Sequence, residues 1–277
     1  MAKFLLAPWL RLRNALDYPM RQFFHWRRAG LRLPVRSLKG LFDALPREQR
    51  GRAVLLAARL LEDYHLQSLA ASSTPGIYRE NLFYLDMLAT ALDRGSASLP
   101  DSLTVADIGP SHWFYVQALF SLLRWWRCPT GQGRDLALTG YEVDAYRIYS
   151  DLHSRYDYAQ VHIRDLPGVT YLPQAFTRQP ARLDLVLMLF PFVFEPDHLR
   201  WGLPAALFEP DRLLADAWSS LKPGGILIIV NQGIQEHQAQ QARLAACGIL
   251  PRAAYRQDPL LYAYALDRYV LVCVREG

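Results

Sequence analysis

Cysteine is scarce in this sequence, and the three cysteines present, Cys128, Cys247 and Cys273, lie far apart with no C-x-x-C pair. This spacing excludes a zinc signature and a disulfide framework, and it is typical of a protein from a reducing compartment. The seven histidines are equally scattered. The sequence therefore predicts no metal site.

Long uncharged apolar runs are also missing. No span approaches the roughly 18–20 apolar residues that a membrane-crossing helix needs. The first ten residues resemble a signal peptide only superficially, because Pro8 interrupts the apolar stretch and Arg11 and Arg13 follow it at once without a small-residue cleavage site. We therefore expect a cytoplasmic protein.

Acidic residues are few in the amino-terminal segment. Residues 1–60 hold thirteen Lys or Arg against only Asp17, Asp43 and Glu48. The whole chain has a net charge of +5, so the remainder of the chain is net acidic. The basic character therefore belongs to the amino-terminal segment alone.

Aromatic side chains alternate with arginines in this basic segment, at Trp9, Tyr18, Phe23, Phe24 and Trp26. Such a pattern suits RNA, through base stacking and phosphate contact. It also suits an amphipathic helix on an anionic membrane surface, which would make the protein peripheral to the membrane. A third interpretation is a helical lid whose aromatic side chains pack on the rest of the protein. The sequence leaves these alternatives open.

Residues 1–95 show no convincing strand. Apolar residues recur at spacings of three and four over residues 54–61 and 78–88, which predicts helices there. Thr74 and Pro75 are placed as the cap and the first turn of the second of these helices. Residues 95–101 are rich in small and turn-forming residues and mark a boundary. We predict an all-helical amino-terminal domain or lid over 1–95 and a second domain over 101–277.

After this boundary, strand and helix patterns alternate. The predicted strands are 103–108, 136–142, 169–172, 183–189, 226–230, 253–256 and 269–274. The predicted helices are 111–126, 145–158, 211–221 and 235–247, with a Gly/Pro loop over 128–135, a turn at Lys222–Gly225 and a helix stop at Gly248. The alternation predicts an α/β fold with a doubly wound, mostly parallel, seven-stranded Rossmann-like sheet. Only a loop joins the last two strands, so we expect an antiparallel hairpin at one edge.

The strand ends carry an ordered set of residues. Asp107-Ile-Gly109 ends the first strand, Glu142 the second and Leu189-Phe190 the fourth, while Gln174 follows the third. This order, with Lys222-Pro-Gly-Gly225 before the fifth strand, resembles the class I S-adenosylmethionine-dependent methyltransferase superfamily over about residues 103–275. The resemblance implies S-adenosylmethionine as the cofactor. It places Asp107, Gly109 and Ser111 in the first cofactor loop, Glu142 on the ribose hydroxyls, Gln174 beside the adenine and Leu189 at the methyl-transfer centre.

The loop departs from the pattern of the family, which is acidic-x-Gly-x-Gly-x-Gly. Ser111 and Trp113 stand at the later glycine positions. Serine is small enough to keep the backbone close to a cofactor, whereas Trp113 must point away from the cofactor or partly fill its site. No Asn/Asp-Pro-Pro-aromatic sequence follows the fourth strand, which argues against amino-group methylation of adenine, cytosine or glutamine. The apolar run 189–194 fits an apolar substrate wall or, equally, a buried core.

No catalytic residue is fixed by these patterns. Methyl transfer from a sulfonium is favourable, so positioning of the reactants supplies much of the acceleration. If a base is needed, Glu195, Asp197 and His198 follow the fourth strand and are the nearest candidates, although each also suits an exposed polar loop. The prediction is a methyltransferase acting on a small or lipid-like acceptor. The open alternatives are a catalytically inactive, methyltransferase-like binding or assembly protein, and an RNA methyltransferase that uses the basic segment.

Overall fold

The computed structural model of the chain describes residues 2–128 and 131–276, with side chains from Pro8 onward. Residues 129 and 130 of the predicted loop over 128–135 lie outside the described residues. The amino-terminal part forms four helices, which are α1 (Ala2–Phe24), α2 (Arg47–Asp63), α3 (Gln67–Ala71) and α4 (Pro75–Arg94). The predicted start of α4 is confirmed, since Pro75 opens the helix and the Thr74 hydroxyl accepts the N–H of Ile77 at 3.4 Å.

Seven strands form one sheet in the order β3-β2-β1-β4-β5-β7-β6. All neighbouring pairs are parallel except those made by β7, which runs antiparallel to both β5 and β6. The predicted sheet and its antiparallel edge hairpin are therefore confirmed. The strands are β1 (Ser102–Ile108), β2 (Asp135–Tyr141), β3 (Val169–Leu172), β4 (Leu183–Leu189), β5 (Leu221–Gln232), β6 (Ala253–Arg256) and β7 (Arg268–Val274).

Helices cover both faces of the sheet, as in a doubly wound fold. The remaining helices are α5 (Val116–Trp125), α6 (Arg155–Ile163), α7 (Glu195–Arg200), α8 (Pro210–Ser220) and α9 (Gly233–Ala246), with a short 3₁₀ turn at Ala205–Leu207. Side chains of α2, α4, α5 and α6 share one buried cluster with one face of the sheet. Side chains of α8 and α9 share a second cluster with the other face.

Two predicted helices have different bounds in the structure. The helix expected over 111–126 begins only at Val116, because Ser111 and Trp113 adopt positive φ angles of 57° and 55°, which a helix cannot contain. The helix expected over 145–158 was wrong over most of its length. A helix, α6, starts at Arg155, where Ser154 and Asp157 form a capping box.

The predicted turn at Lys222–Gly225 was also wrong, because these residues lie within β5. They form an irregular section, across which the pairing with β4 jumps from Leu183↔Leu221 to Leu185↔Ile226. Gly224 has a φ of 78° and donates its N–H to the carbonyl of Arg275 at 2.7 Å, so the backbone stays paired. The predicted stop at Gly248 is confirmed by its φ of 70° just beyond α9.

Helix α1 reaches across the carboxyl ends of the strands. The Asn14 side-chain amide donates to the carbonyl oxygens of Leu199 and Leu203, at 2.7 and 3.0 Å. Further along the helix, the Tyr18 hydroxyl donates to the Val143 carbonyl at 3.0 Å. Since Leu199 follows β4 and Val143 follows β2, α1 spans the intervening end of β1. None of the described helices is long and apolar enough to cross a membrane.

Candidate functional site at the carboxyl edge of the sheet

Asp107 ends β1 and is fully buried. Its Oδ2 accepts two hydrogen bonds of 2.8 Å, one from the Trp113 indole Nε1 and one from the Tyr115 hydroxyl. Its Oδ1 is buried and has no partner among the described residues. Burial raises the pKa of Asp107 from 3.8 to about 7, although the two hydrogen bonds act in the opposite direction. The structure thus places the first acidic residue of the predicted loop inside the protein, held by two aromatic donors.

Trp113 points inward from the loop. Its indole is fully buried and lies on Gly140 of β2, where an added Cβ would approach the ring to 2.8 Å. Gly109 has a φ of 75° and is exposed, and an added Cβ there would meet no atom within 4 Å. Trp113 therefore fills the layer beside β2 and leaves the outer side of Gly109 open.

Glu142 follows β2 and lies directly beside the loop. Its Oε2 accepts the N–H of Ser111 and its Oε1 accepts the N–H of Asp144, both at 2.8 Å. The Arg155 guanidinium lies 3.7 Å from Oε1. Burial raises the pKa of Glu142, while Arg155 and the two amides lower it. The two predicted parts of a cofactor site are thus adjacent, but amides of the chain itself use both carboxylate oxygens of Glu142, which is only 4% exposed.

Asp144 forms a second buried acidic centre, which the sequence analysis missed. Its carboxylate is surrounded by three guanidinium groups, with N···O distances of 3.1 Å to Arg21, 3.4 Å to Arg147 and 3.5 Å to Arg155. Burial raises its pKa, and the arginines lower it. Arg21 belongs to α1, so this centre holds α1 on the segment after β2. No sequence signal indicates a pair that is 123 residues apart.

The remaining predicted site residues lie around this edge. Gln174 is exposed in the segment after β3, and Leu189 is buried at the end of β4. On α7, Glu195 accepts a 2.8 Å hydrogen bond from Arg11, and Asp197 accepts one of the same length from Arg200.

His198 is buried, its Nε2 lies 2.9 Å from the Pro204 carbonyl oxygen, and burial lowers its pKa. In the described part of the chain, no hydrogen bond or ion pair joins Glu195, Asp197 or His198 to Asp107 or Glu142. Their proposed role as a base stays a prediction.

An aromatic and polar cluster continues from Asp107 towards α4 and β7. Tyr115 stacks on Tyr84, with ring centroids 4.7 Å apart. The Tyr264 hydroxyl donates to Glu80, and the Arg268 guanidinium lies 3.8 Å from the centroid of the Tyr264 ring. Burial raises the pKa of Glu80. No sequence motif indicates this cluster, since its members are spread over residues 80–268.

A further buried polar group lies at the end of β5. Asn231 is fully buried, and neither its amide oxygen nor its amide nitrogen has a partner among the described residues. Buried polar atoms in folded proteins are nearly always hydrogen-bonded to protein or to water. Asp107 and Asn231 thus place three buried polar atoms without a partner among the described residues near the ends of two strands.

Two cavities lie away from the Asp107 loop. One, of about 360 Å³, lies between Leu38 and Ala57 at α2. Another, of about 10 Å³, lies beside Tyr264 and Arg268. Asp107, Gly109 and Glu142 line neither cavity. Among the described residues, no group of three or more His, Cys, Asp or Glu side chains could hold a metal ion.

No protein-family model matches the sequence. No curated protein matches it either. Solved structures similar to this chain include an S-adenosylmethionine-dependent methyltransferase from Aquifex aeolicus, with 17% identity, a TM-score of 0.48 and alignment over 71% of this chain and 92% of that one. A putative class I S-adenosylmethionine-dependent methyltransferase from Listeria monocytogenes has 13% identity and a TM-score of 0.49, over 85% of this chain and 72% of that one. The [4+2]-cyclase SpnF has 12% identity and a TM-score of 0.46, over 69% and 81%.

Strand order and register, rather than these alignments, define the fold of this chain. The sheet places parallel strands β3, β2, β1, β4 and β5 side by side and adds the antiparallel β7 and the edge strand β6. In an open sheet of this kind, ligands bind beyond the carboxyl ends of the strands where the order reverses, which here is between β1 and β4. The chain thus has an α/β, methyltransferase-like fold, and Asp107 and Leu189 end the two strands at this position.

Proposed function

We propose that this chain is an S-adenosylmethionine-dependent methyltransferase that acts on a small or lipid-like acceptor. The observation that carries the proposal is the direct 2.8 Å hydrogen bond between the Ser111 amide and Glu142. This bond holds the loop after β1 against the carboxylate after β2, which are the two parts that the resemblance assigns to the cofactor. The open space outside Gly109 and the unpartnered Asp107 Oδ1 fit the same ligand.

Glu142 would hold the cofactor through its ribose hydroxyls. Each carboxylate oxygen accepts more than one hydrogen bond, so Oε1 and Oε2 keep acceptor capacity beside the amides of Asp144 and Ser111. When bound, S-adenosylmethionine supplies a sulfonium methyl group that is already activated for transfer. The protein then contributes positioning and exclusion of water, for which the apolar run at Leu189–Phe194 is suited.

Helix α1 is bonded to the segment that directly follows Glu142. The Glu142 carboxylate is buried, and α1 contacts the two residues after it. Tyr18 and Gln22 donate to the Val143 carbonyl, and Arg21 forms an ion pair with Asp144. Asn14 and Arg11 add hydrogen bonds to Leu199, Leu203 and Glu195, so polar contacts hold α1 along its length.

Calorimetric titration of the full chain with S-adenosylhomocysteine tests the proposal. We expect saturable binding, weakened about tenfold or more by Glu142→Gln, because a hydrogen bond to a charged group contributes about 1.5–3 kcal/mol. Glu209→Gln, at an exposed ion pair with Arg212, is the matched control and should leave binding unchanged. Absence of binding up to millimolar concentration, with a folded protein, overturns the proposal.

A second candidate function is a catalytically inactive, methyltransferase-like binding or assembly protein. It is favoured by the hydrogen bonds that the chain's own donors make to Asp107 Oδ2 and to both Glu142 oxygens, and by the indole that Trp113 adds to the core. Tritium-labelled S-adenosylmethionine distinguishes the two, with lipid and small-molecule extracts as acceptors. Label transferred to an acceptor supports the enzyme, whereas cofactor binding without transfer supports the inactive protein.

A further inference from the structure

The polarity of α1 is the reverse of that expected for a helix packed on a protein. Its protein-facing side is polar, with Asn14, Tyr18, Arg21 and Gln22 all bonded to the rest of the chain. Its large apolar side chains instead face solvent and are between 57% and 80% exposed, namely Trp9, Leu12, Leu16, Met20, Phe23 and Phe24. We call these six side chains the α1 stripe. Surface helices normally bury their apolar side, so the α1 stripe is a surface that lacks its partner.

The spacing of the α1 stripe makes it continuous. Trp9, Leu12, Leu16 and Phe23 follow one another at intervals of three, four and seven residues, which brings them onto one side of a helix. Trp26 continues the apolar surface past the helix end and is 46% exposed. Its indole nitrogen donates to the Leu152 carbonyl at 2.9 Å, so the segment after α1 is fixed on the protein.

Basic residues accompany the α1 stripe along the sequence. From Trp9 to Lys39 the chain holds eight basic residues and one acidic residue, Asp17. Arg13, Arg27 and Arg28 are exposed, beside or just beyond the stripe. A partner must therefore offer an apolar interior together with negative charge at the same surface.

We infer that α1 docks the protein on an anionic lipid bilayer, with the α1 stripe in the acyl boundary and the arginines at the headgroups. The free energy of leucine, methionine and phenylalanine side chains falls when they move from water to the acyl boundary, and tryptophan is favoured at the level of the headgroups. Anionic lipids supply the negative charge that the arginines complement. RNA fits less well, because Leu12, Leu16 and Met20 offer a base neither stacking nor a hydrogen bond.

Docking through the α1 stripe keeps the inner side of α1 on the protein. Helix α1 spans the carboxyl ends of β2, β1 and β4, so docking holds this edge of the sheet parallel to the bilayer and one helix diameter from it, about 10 Å. This surface needs no methyl transfer, and its test is independent of cofactor binding.

Co-sedimentation of the full chain with vesicles tests the inference. We expect binding to vesicles of phosphatidylcholine mixed with phosphatidylglycerol, weaker binding to phosphatidylcholine alone, and a decrease as salt is raised. The double variant Leu12→Gln/Leu16→Gln should lower the partition coefficient about tenfold or more, because it removes the favourable free energy of transferring two leucine side chains out of water.

The matched control is Leu55→Gln/Leu250→Gln, which removes two leucines that are 74% and 81% exposed elsewhere on the surface. These four leucines are exposed, so neither variant creates a cavity, and thermal unfolding verifies that both fold. Retained binding by the control supports the inference, and an equal loss in both variants overturns it.

Two other results would also overturn the inference. The first is a wild-type chain that ignores anionic vesicles and forms a dimer by light scattering, with Leu12→Gln/Leu16→Gln monomeric, because the α1 stripe would then bind a second copy. The second is salt-sensitive binding of single-stranded RNA by a chain that does not bind vesicles. A blue shift of the Trp9 fluorescence on vesicles, measured as the difference from Trp9→Phe, supports insertion of the stripe.

Discussion

Replacement of Asp107 by asparagine should change how the stability of the protein depends on pH. The folded protein buries this carboxyl group and raises its pKa from 3.8 to about 7. Between these two values the folded state binds a proton that the unfolded state has already released. The contribution of Asp107 to the free energy of unfolding is therefore fully present below about pH 4 and is lost as pH rises through about 7.

The linkage relation gives the size of this loss. Between about pH 4.5 and about pH 7.5, a shift of this size lowers the unfolding free energy by about 3 kcal/mol. An asparagine at position 107 keeps an oxygen for the Trp113 and Tyr115 donors but has no proton to release. We therefore expect Asp107→Asn to be nearly neutral at the lower pH and stabilising by about 3 kcal/mol at the higher pH.

Urea denaturation of both proteins across this range measures the difference directly. Other titrating groups, such as His112 and Glu80, contribute to both proteins and cancel in the difference. Asp135→Asn, at an exposed aspartate where β2 begins, is the matched control for the change of side chain. A wild-type minus variant difference that stays constant from low to high pH would refute the reasoning, since it would mean that Asp107 ionises in the folded protein as it does in water.

Three further substitutions test the contacts around this site. Gly140→Ala should cost about 1–3 kcal/mol of unfolding free energy, because the new Cβ meets the Trp113 ring at 2.8 Å. Gly51→Ala, where α2 leaves open space, should instead stabilise by roughly 0.5–1 kcal/mol, and urea denaturation compares the two. Arg21→Gln should lower the opening free energy of α1 by about 1.5–3 kcal/mol through the lost hydrogen bond to Asp144, measured by hydrogen exchange over residues 8–24. Unchanged exchange in α1 would show that Arg21 does not hold the helix.

Buried strands and simple caps could be predicted from the sequence. Strands β4 and β6 have the predicted bounds. Strand β4 is a continuous apolar run, and turn residues on both sides of β6 mark where that strand begins and ends. The start of α4 followed from Thr74 and Pro75 in the same way. The start of α6 was missed although its signal is present, since Ser154-Arg-Tyr-Asp157 has the spacing of a capping box.

The interior of the candidate site could not be predicted. The sequence indicated that Asp107, Gly109 and Glu142 lie near one another, because the ends of neighbouring parallel strands meet. It did not indicate that Tyr115 bonds to Asp107, or that Arg21 and Arg155 enclose Asp144. These contacts depend on side-chain directions and on packing between remote segments, and a single sequence has no periodicity that reports them.

Strand β7 links the edge strand β6 to the rest of the sheet. It follows β6 along the chain but lies between β5 and β6 in space, and β6 pairs with β7 alone among the described strands. Hence β6 cannot join the sheet by itself. The β6–β7 hairpin is attached to the parallel part of the sheet through β7 alone, along seven residue pairs from Ile226↔Val274 to Gln232↔Arg268. Loss of the β5–β7 pairing would therefore detach both edge strands together.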